Sequence, residues 1–178
     1  MSTAAPITSQ TAALANLTVI DLSRILAGPF AAQNLADMGA KVIKIEHPNG
    51  DDTRRWGPPF VERDDGSKDA AYYFCANRNK TNLSLDFTQA ADRERLIELI
   101  KTADIVIENY KVGGLAKYGL DYASIRALNP RIIYCSITGF GQNGPYKDRP
   151  GYDALIQAMG GLMSITGEAE QAPQKVGV

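Results

Sequence analysis

Residues 17–46 read LTVIDLSRILAGPFAAQNLADMGAKVIKIE, and this stretch decides the fold class. Val19-Ile20 and Val42-Ile43-Lys44-Ile45 are β-branched runs, and nearly continuous runs of that kind suit strands covered on both faces. Between them Pro29 stands at a first-turn position and Gly39 follows the apolar run, so the spacing predicts a helix over 29–38. The unit reads strand, Gly28-Pro29 turn, short helix, Gly39 turn, strand. Such a unit closes as a parallel pair.

The alternation continues outward. Strands are predicted at Thr18–Asp21, Lys41–Glu46, 104–108 and 131–136, with 82–86 as an edge candidate because Leu83 and Leu85 alternate with polar neighbours. Helices are predicted over 88–102, over Tyr122–Leu128 between Asp121 as cap and Pro130 as stop, and over 152–163. The predicted fold class is α/β, an open Rossmann-like parallel sheet with helices on both faces. Two polar stretches, 47–68 and 138–150, are too long to be simple connectors, and such segments carry sites in this architecture. Asp64-Asp65-Gly66 reads as a surface turn. Residues 1–16, rich in Ala, Thr and Ser, read as a flexible tail before a domain over 17–178.

An apolar fraction of 44% with 9 prolines supports a packed core over wholesale disorder. Nineteen Lys and Arg against 20 Asp and Glu give a formal charge of -1, which provides no general attraction to nucleic acid or anionic membrane. There is no run of 18 apolar residues to span a bilayer, and residues 1–16 lack a basic start and a long apolar centre. Cys75 and Cys135 sit in apolar contexts without metal-ligand spacing, as expected of buried free thiols in a reducing cytoplasm.

Polar groups cluster where strands are predicted to end. Ser23-Arg24-Ile25-Leu26-Ala27-Gly28-Pro29 follows the first strand; Ala27 and Gly28 permit close approach, and the helix start offers free N–H groups. Alone, the segment is equally a tight strand-to-helix turn. It lacks the second and third glycines of a dinucleotide fingerprint and the Lys-Ser or Lys-Thr ending of a P-loop. Glu46-His47-Pro48 follows the second strand, and His47 reads as a ligand contact or a solvated side chain. Arg54 and Arg55 can neutralise phosphate, with Trp56 as an apolar wall. Asp51 and Asp52 read as partners of that arginine loop more readily than as metal ligands with His47. Asn77-Arg78-Asn79-Lys80 is a phosphate-facing cluster or a surface turn. Glu108-Asn109-Tyr110, with Lys111 and Lys117 beyond, ends another strand. Convergence of these segments on one cleft is a stronger signal than any of them singly.

Taken in order, the segments resemble the family III CoA-transferases, the CaiB/BaiF family, from about Leu17 to Val178. The resemblance rests on Asp21-Leu22-Ser23-Arg24, Ala27-Gly28-Pro29, Leu35-Ala36-Asp37-Met38-Gly39-Ala40 and Val42-Ile43-Lys44-Ile45-Glu46. It continues through Asn79-Lys80, Asp104-Ile105-Val106-Ile107-Glu108-Asn109-Tyr110, Asn129-Pro130-Arg131, Thr138-Gly139-Phe140-Gly141, Gly144-Pro145 and Gly151-Tyr152-Asp153. It implies that Arg24, Ile25, Leu26 and Ala27 lie beside CoA. It also implies that Asn79, Lys80, Asn109 and Tyr110 line the CoA site and that Lys117 is a further basic position. His47 stands where some members use arginine near the phosphates. Histidine charges near neutrality whereas arginine stays charged, so His47 implies a weaker or pH-dependent contact. No metal or redox cofactor is implied; coenzyme A or acyl-CoA enters as substrate, with a small carboxylic acid as acceptor.

Family transferases use an aspartate nucleophile, which the resemblance places a few residues after Lys175-Val176-Gly177-Val178. The chain is accordingly expected to be the first part of the CoA-binding domain, lacking the nucleophile and the second domain, of a parent that forms an interlocked homodimer. Alone it is expected to bind CoA weakly without turnover. Asp153, at a predicted helix start, is explained by capping. The related α-methylacyl-CoA racemases place histidine at the position of Tyr152, and a phenol is a poor base near neutrality. The alternatives carried forward are a racemase-like isomerase and a CoA-binding fragment without catalysis.

Overall fold

The computed structural model describes residues 12–177, which form two compact units divided after Ile137. The first holds a five-stranded, wholly parallel sheet built from β1 (Thr18–Asp21), β2 (Lys41–Glu46), β5 (Lys80–Ser84), β6 (Ile105–Glu108) and β7 (Ile133–Ser136), ordered β5-β2-β1-β6-β7. In register, Val19 faces Val42 on one side and Ile105 on the other.

Strand alternation sorts the core into two layers. Val19, Val42 and Ile107 point to the face covered by α1 (Ala27–Asp37), where Ala32 and Ala36 meet them. Ile20, Ile45 and Val106 point to the other face, packed by Leu96 and Ile100 of α3 (Ala90–Lys101) and Ile125 of α4 (Tyr122–Leu128). Successive side chains of a strand leave opposite faces, so a helix on each side requires both sets to be apolar. The small side chains of α1 let it lie close to β1 and β2.

The parallel sheet and its flanking helices are as expected, with shifted ends. β5 begins two residues before its predicted start, α1 starts at Ala27 rather than Pro29, and β6 and β7 start later than predicted. Asp121 stands at the N-cap of α4, yet its carboxylate takes a bond from Ser124 Oγ (2.6 Å) rather than from a backbone N–H. The stretch 47–68 is structured: a 3-10 turn at Asp52–Arg55, then β3 (Phe60–Glu62) and β4 (Lys68–Ala70) as an antiparallel hairpin, followed by the short α2 (Ala71–Phe74). Asp64-Asp65-Gly66 is its tip, with Asp65 Oδ1 accepting Ser67 N–H at 2.9 Å. Residues 1–11 of the predicted tail lie outside the described residues. Residues 12–16 form turns in which Leu14 N–H donates to Met38 O (3.0 Å) and the Leu14 side chain packs on the α1 face.

The second unit carries α5 (Asp153–Met159) and a 3-10 turn at Leu162–Ile165 in place of one helix over 152–163. Gly161, at φ +82°, separates them. Gly139 and Gly151 pack backbone against backbone, each occupying the space a Cβ on the other would need. Cys75 and Cys135 are free thiols but not buried: Cys75 is exposed at the end of α2, and Cys135 is half-buried in β7. Among the described residues no helix is long and apolar enough to cross a membrane.

Candidate functional site

The sheet reverses its winding at β1: β2 and β5 lie to one side, β6 and β7 to the other. Ligands of open α/β sheets bind outside the carboxyl ends of the strands at such a reversal. A cleft of about 200 Å³ lies there, lined among others by Arg24 after β1, Glu46, His47 and Asp51 after β2, Asp86 and Phe87 after β5, and Tyr110 after β6. Three residues singled out by sequence, Arg24, His47 and Tyr110, thus share one wall.

The Ser23-Arg24-Ile25 turn is anchored at every step. Asp21 accepts Ser23 N–H (3.0 Å) and Ser23 Oγ–H. Asn109 clamps Arg24 from both sides, its Oδ1 accepting Arg24 N–H (2.8 Å) and its Nδ2 donating to Arg24 O (2.6 Å). Ile25 N–H donates to Asp51 Oδ2 at 3.3 Å, and Ile25 adopts φ +71°. A β-branched residue in that region is strained and persists only where its surroundings enforce it. Gly28 is required for a different reason from ligand approach: a Cβ there would collide with the Ser23 side chain. Ala27 and Leu26 are exposed at the head of α1, which has no side-chain cap.

Two buried lysines hold this turn from beneath. Lys44 Nζ donates to Ser23 O (2.9 Å) and Asp51 Oδ2 (3.2 Å), with side-chain exposures of 1% and 0% for the pair. Burial would raise the Asp51 carboxyl, but the charge of Lys44 and the bonds from Thr53 hold it below the usual range. Lys80 Nζ is spent on Asp21 Oδ2 (2.9 Å), Pro29 O (2.8 Å) and Asn77 Oδ1 (3.0 Å), and its side chain is 2% exposed. An ammonium has three protons, so Lys80 has none left for phosphate. Burial lowers its pKa, with Asp21 opposing. Its role here is to tie the head of α1 to β1.

The remaining residues divide. Asn79, at φ +61°, donates to Asp37 Oδ1 (2.7 Å) beside Arg78, at the amino end of β5 and thus at the opposite end of the strands from the cleft. His47 is half exposed; its Nδ1 accepts Asn49 N–H (3.1 Å), which directs Nε2 toward Asp86 Oδ2 at 3.8 Å. Bonds from Thr88 lower the Asp86 pKa. Tyr110, its pKa raised by burial, carries the Arg24 guanidinium over its ring at 4.9 Å. Tyr110 meets Phe87 edge-on (5.7 Å), Phe87 meets Tyr118 (5.3 Å), and Lys117 Nζ lies 4.8 Å from the Tyr118 ring centre. The result is an aromatic row with a cation at each end, Arg24 on the cleft side and Lys117 beyond its lining.

Arg54 is withheld from the cleft. It bonds Glu46 through Nε and through Nη2 (3.1 Å), Asp69 through Nη1 (2.8 Å), and stacks 3.7 Å from the Tyr73 ring centre. Glu46 also accepts from Asn82 (2.7 Å) and Tyr73 Oη (3.2 Å), and burial with the nearby Glu46 charge pushes the Tyr73 phenol up to about 12. Arg55 pairs with Asp52 at the surface (2.9 Å), and Trp56 packs on Tyr72 rather than lining the cleft. Asp51 orders the arginine loop as expected, capping the Asp52–Arg55 turn through Thr53 N–H and accepting Arg54 N–H at its carbonyl (3.0 Å), but its carboxylate charge is paired with Lys44 rather than with an arginine. Among the described residues no group of three or more His, Cys, Asp or Glu is placed to hold a metal ion. Sequence reasoning missed Lys44, Asp51, Asp86 and Phe87 as site-forming residues. Only Lys44 carried a signal, a lone internal cation in an apolar strand.

A parallel sheet with a cleft at its winding reversal, walled by a strained turn and a cation-flanked aromatic row, is an open α/β domain of the doubly wound type. Residues 14–178 match the CoA-transferase family III model, and the chain belongs to that family. It is 58% identical over 167 residues to a succinate–glutarate CoA-transferase of Agrobacterium fabrum, covering 93% of this chain and 42% of the relative. It is 46% identical over 166 residues to the human succinyl-CoA:glutarate CoA-transferase, covering 93% and 37%. A crystal structure of a CaiB/BaiF family protein from Brucella suis superposes with a TM-score of 0.88 at 56% identity, covering 92% of this chain and 43% of that one. The chain thus spans about two fifths of the relatives it matches.

Proposed function

We propose that the protein containing this segment transfers CoA between an acyl-CoA and a carboxylic acid, and that the cleft takes part of the CoA. The observation that carries the reading is the gathering of Arg24, His47 and Tyr110 at the winding reversal of a family III chain. Arg24 supplies a permanent charge and a planar fork suited to phosphate, and the Tyr110-Phe87-Tyr118 row offers apolar, aromatic surface. His47 adds a contact whose strength depends on protonation. Relatives named for succinate, succinyl-CoA and glutarate support short dicarboxylic acids as the exchanged acids.

In this chemistry an aspartate carboxylate of the enzyme attacks the donor thioester and releases CoA thiolate, leaving a mixed anhydride. The thiolate attacks the aspartyl carbonyl, freeing the donor acid and forming an enzyme thioester. The acceptor carboxylate attacks that thioester, expelling CoA thiolate and leaving a second mixed anhydride; the thiolate then attacks its acceptor carbonyl, giving the acceptor acyl-CoA and freeing the aspartate. The described residues bind and orient CoA for these steps. Assembly as an interlocked homodimer in the cytoplasm belongs to the same proposal.

The competing reading is α-proton exchange by a racemase. Tyr152 speaks against it: at the N-cap of α5 it presents a phenol, a poor base near neutrality, where that chemistry needs a group able to remove the α-proton. Labelled-CoA exchange between succinyl-CoA and glutarate, run beside deuterium incorporation at the α-carbon of an α-methylacyl-CoA, separates the two. Transfer without deuteration is expected of a protein of full family length; deuteration without transfer overturns the proposal.

A further inference from the structure

We propose that the buried Lys44–Asp51 ion pair is a brace that keeps the Arg24-Ile25 turn in its strained form, making both residues positioning residues for the cleft. The binding arm of this proposal rests on the CoA reading above. Ile25 holds φ +71° against its own side chain, so something outside residue 25 must impose that angle. Its N–H donates to Asp51 Oδ2. That same oxygen accepts from Lys44 Nζ, whose other bond is to Ser23 O, two residues earlier. One ammonium and one carboxylate thereby fix both ends of the segment whose middle residue, Arg24, faces the cleft. Asp51 is in turn fixed by Thr53 N–H (3.0 Å) and Thr53 Oγ1 (2.8 Å), so it cannot follow a relaxing turn. A buried pair of this kind costs desolvation, and specifying a conformation is one use to which such a cost is put.

Removing one partner strands a charge and can unfold the chain, so the test removes both charges in Lys44→Met/Asp51→Asn. In a double variant whose circular dichroism matches the parent, tryptic cleavage after Arg24 is expected to rise about tenfold relative to cleavage after the exposed Arg55, reporting local opening. The CoA dissociation constant, by calorimetry, is expected to rise by about tenfold as well, one charge-assisted contact misplaced. Adding Ile25→Gly, which accepts a positive φ freely, is expected to recover most of that affinity; a purely structural role gives no such rescue. Unchanged cleavage and affinity in the folded double variant overturn the brace. Hydrogen exchange on the unaltered protein needs no variant to fold: the Ile25 amide is expected to be protected, and free-loop exchange overturns the proposal. Should the parent bind no CoA while cleavage rises as stated, the brace stands and the CoA reading falls.

Discussion

Replacing Arg54 with alanine tests whether the β3–β4 hairpin is held to β2 by charge. In the folded chain this guanidinium serves two carboxylates at once, forked on Glu46 and single on Asp69, and covers the Tyr73 ring. Its side chain is 19% exposed and Glu46 and Asp69 are 7% and 11% exposed, so the pairs are only weakly screened. Removing the cation leaves Glu46 buried with only neutral donors and Asp69 with Arg63 alone. Losing one partner of a buried pair costs about 3–5 kcal/mol, a large part of a domain's stability. Urea unfolding of Arg54→Ala at pH 7 is expected to show that loss as a lowered midpoint with little change in slope. Arg54→Lys keeps the charge but not the fork and is expected to lose about 1–2 kcal/mol.

Acidification fixes the sign. Burial would raise the Glu46 carboxyl, but its bond to Arg54 prevails and holds it below the usual value. In the parent this stabilisation is present above the ordinary carboxylate pKa and is lost as pH falls through the lower folded value. In Arg54→Ala burial dominates and the carboxyl rises, so the destabilisation relative to the parent is full at pH 7 and shrinks on acidification. A loss under about 1 kcal/mol at pH 7, the range of a surface pair, refutes the reasoning, as does a deficit that grows toward acid.

Arg24→Ala is expected to weaken CoA binding by about 10- to 100-fold, with a reduced salt dependence in calorimetry, while stability stays within about 0.5 kcal/mol. Lys80→Met strands the buried Asp21 carboxylate and is expected to cost about 3–5 kcal/mol, whereas Lys117→Ala, exposed beside Tyr118, stays within about 0.5 kcal/mol; paired urea titrations compare them. Gly139→Ala drives a Cβ into the Gly151 backbone and is expected to cost about 1–3 kcal/mol, measured by thermal unfolding.

Much of the fold was legible because burial on both faces leaves a local mark. The runs Val19-Ile20, Val42-Ile43 and Ile105-Val106-Ile107 are apolar at every position, which only a strand covered on two sides requires. The hairpin Phe60–Glu62 with Lys68–Ala70 was missed for the converse reason: its first strand is exposed throughout and shows no apolar alternation. Arg24, His47 and Tyr110 could be assigned to one place because each follows a strand, and parallel strands bring their carboxyl ends together. Asn79 precedes its strand and lies at the other end of the sheet.

What the sequence determined by itself was the order of layers, the family and the strand ends that meet, since these follow from residue type and spacing along the chain. Which cations are free was decided only by the tertiary structure. In sequence Lys80 and Arg54 read as charges available to a phosphate, and Arg24 as a residue beside CoA. In the fold Asp21 and Pro29 claim the first, and Glu46 and Asp69 the second. Arg24, its backbone clamped by Asn109, keeps its side chain at the cleft. The reason is physical: a charge is spent or spare according to the acceptors within about 3 Å of it, and those are brought there by residues distant in sequence.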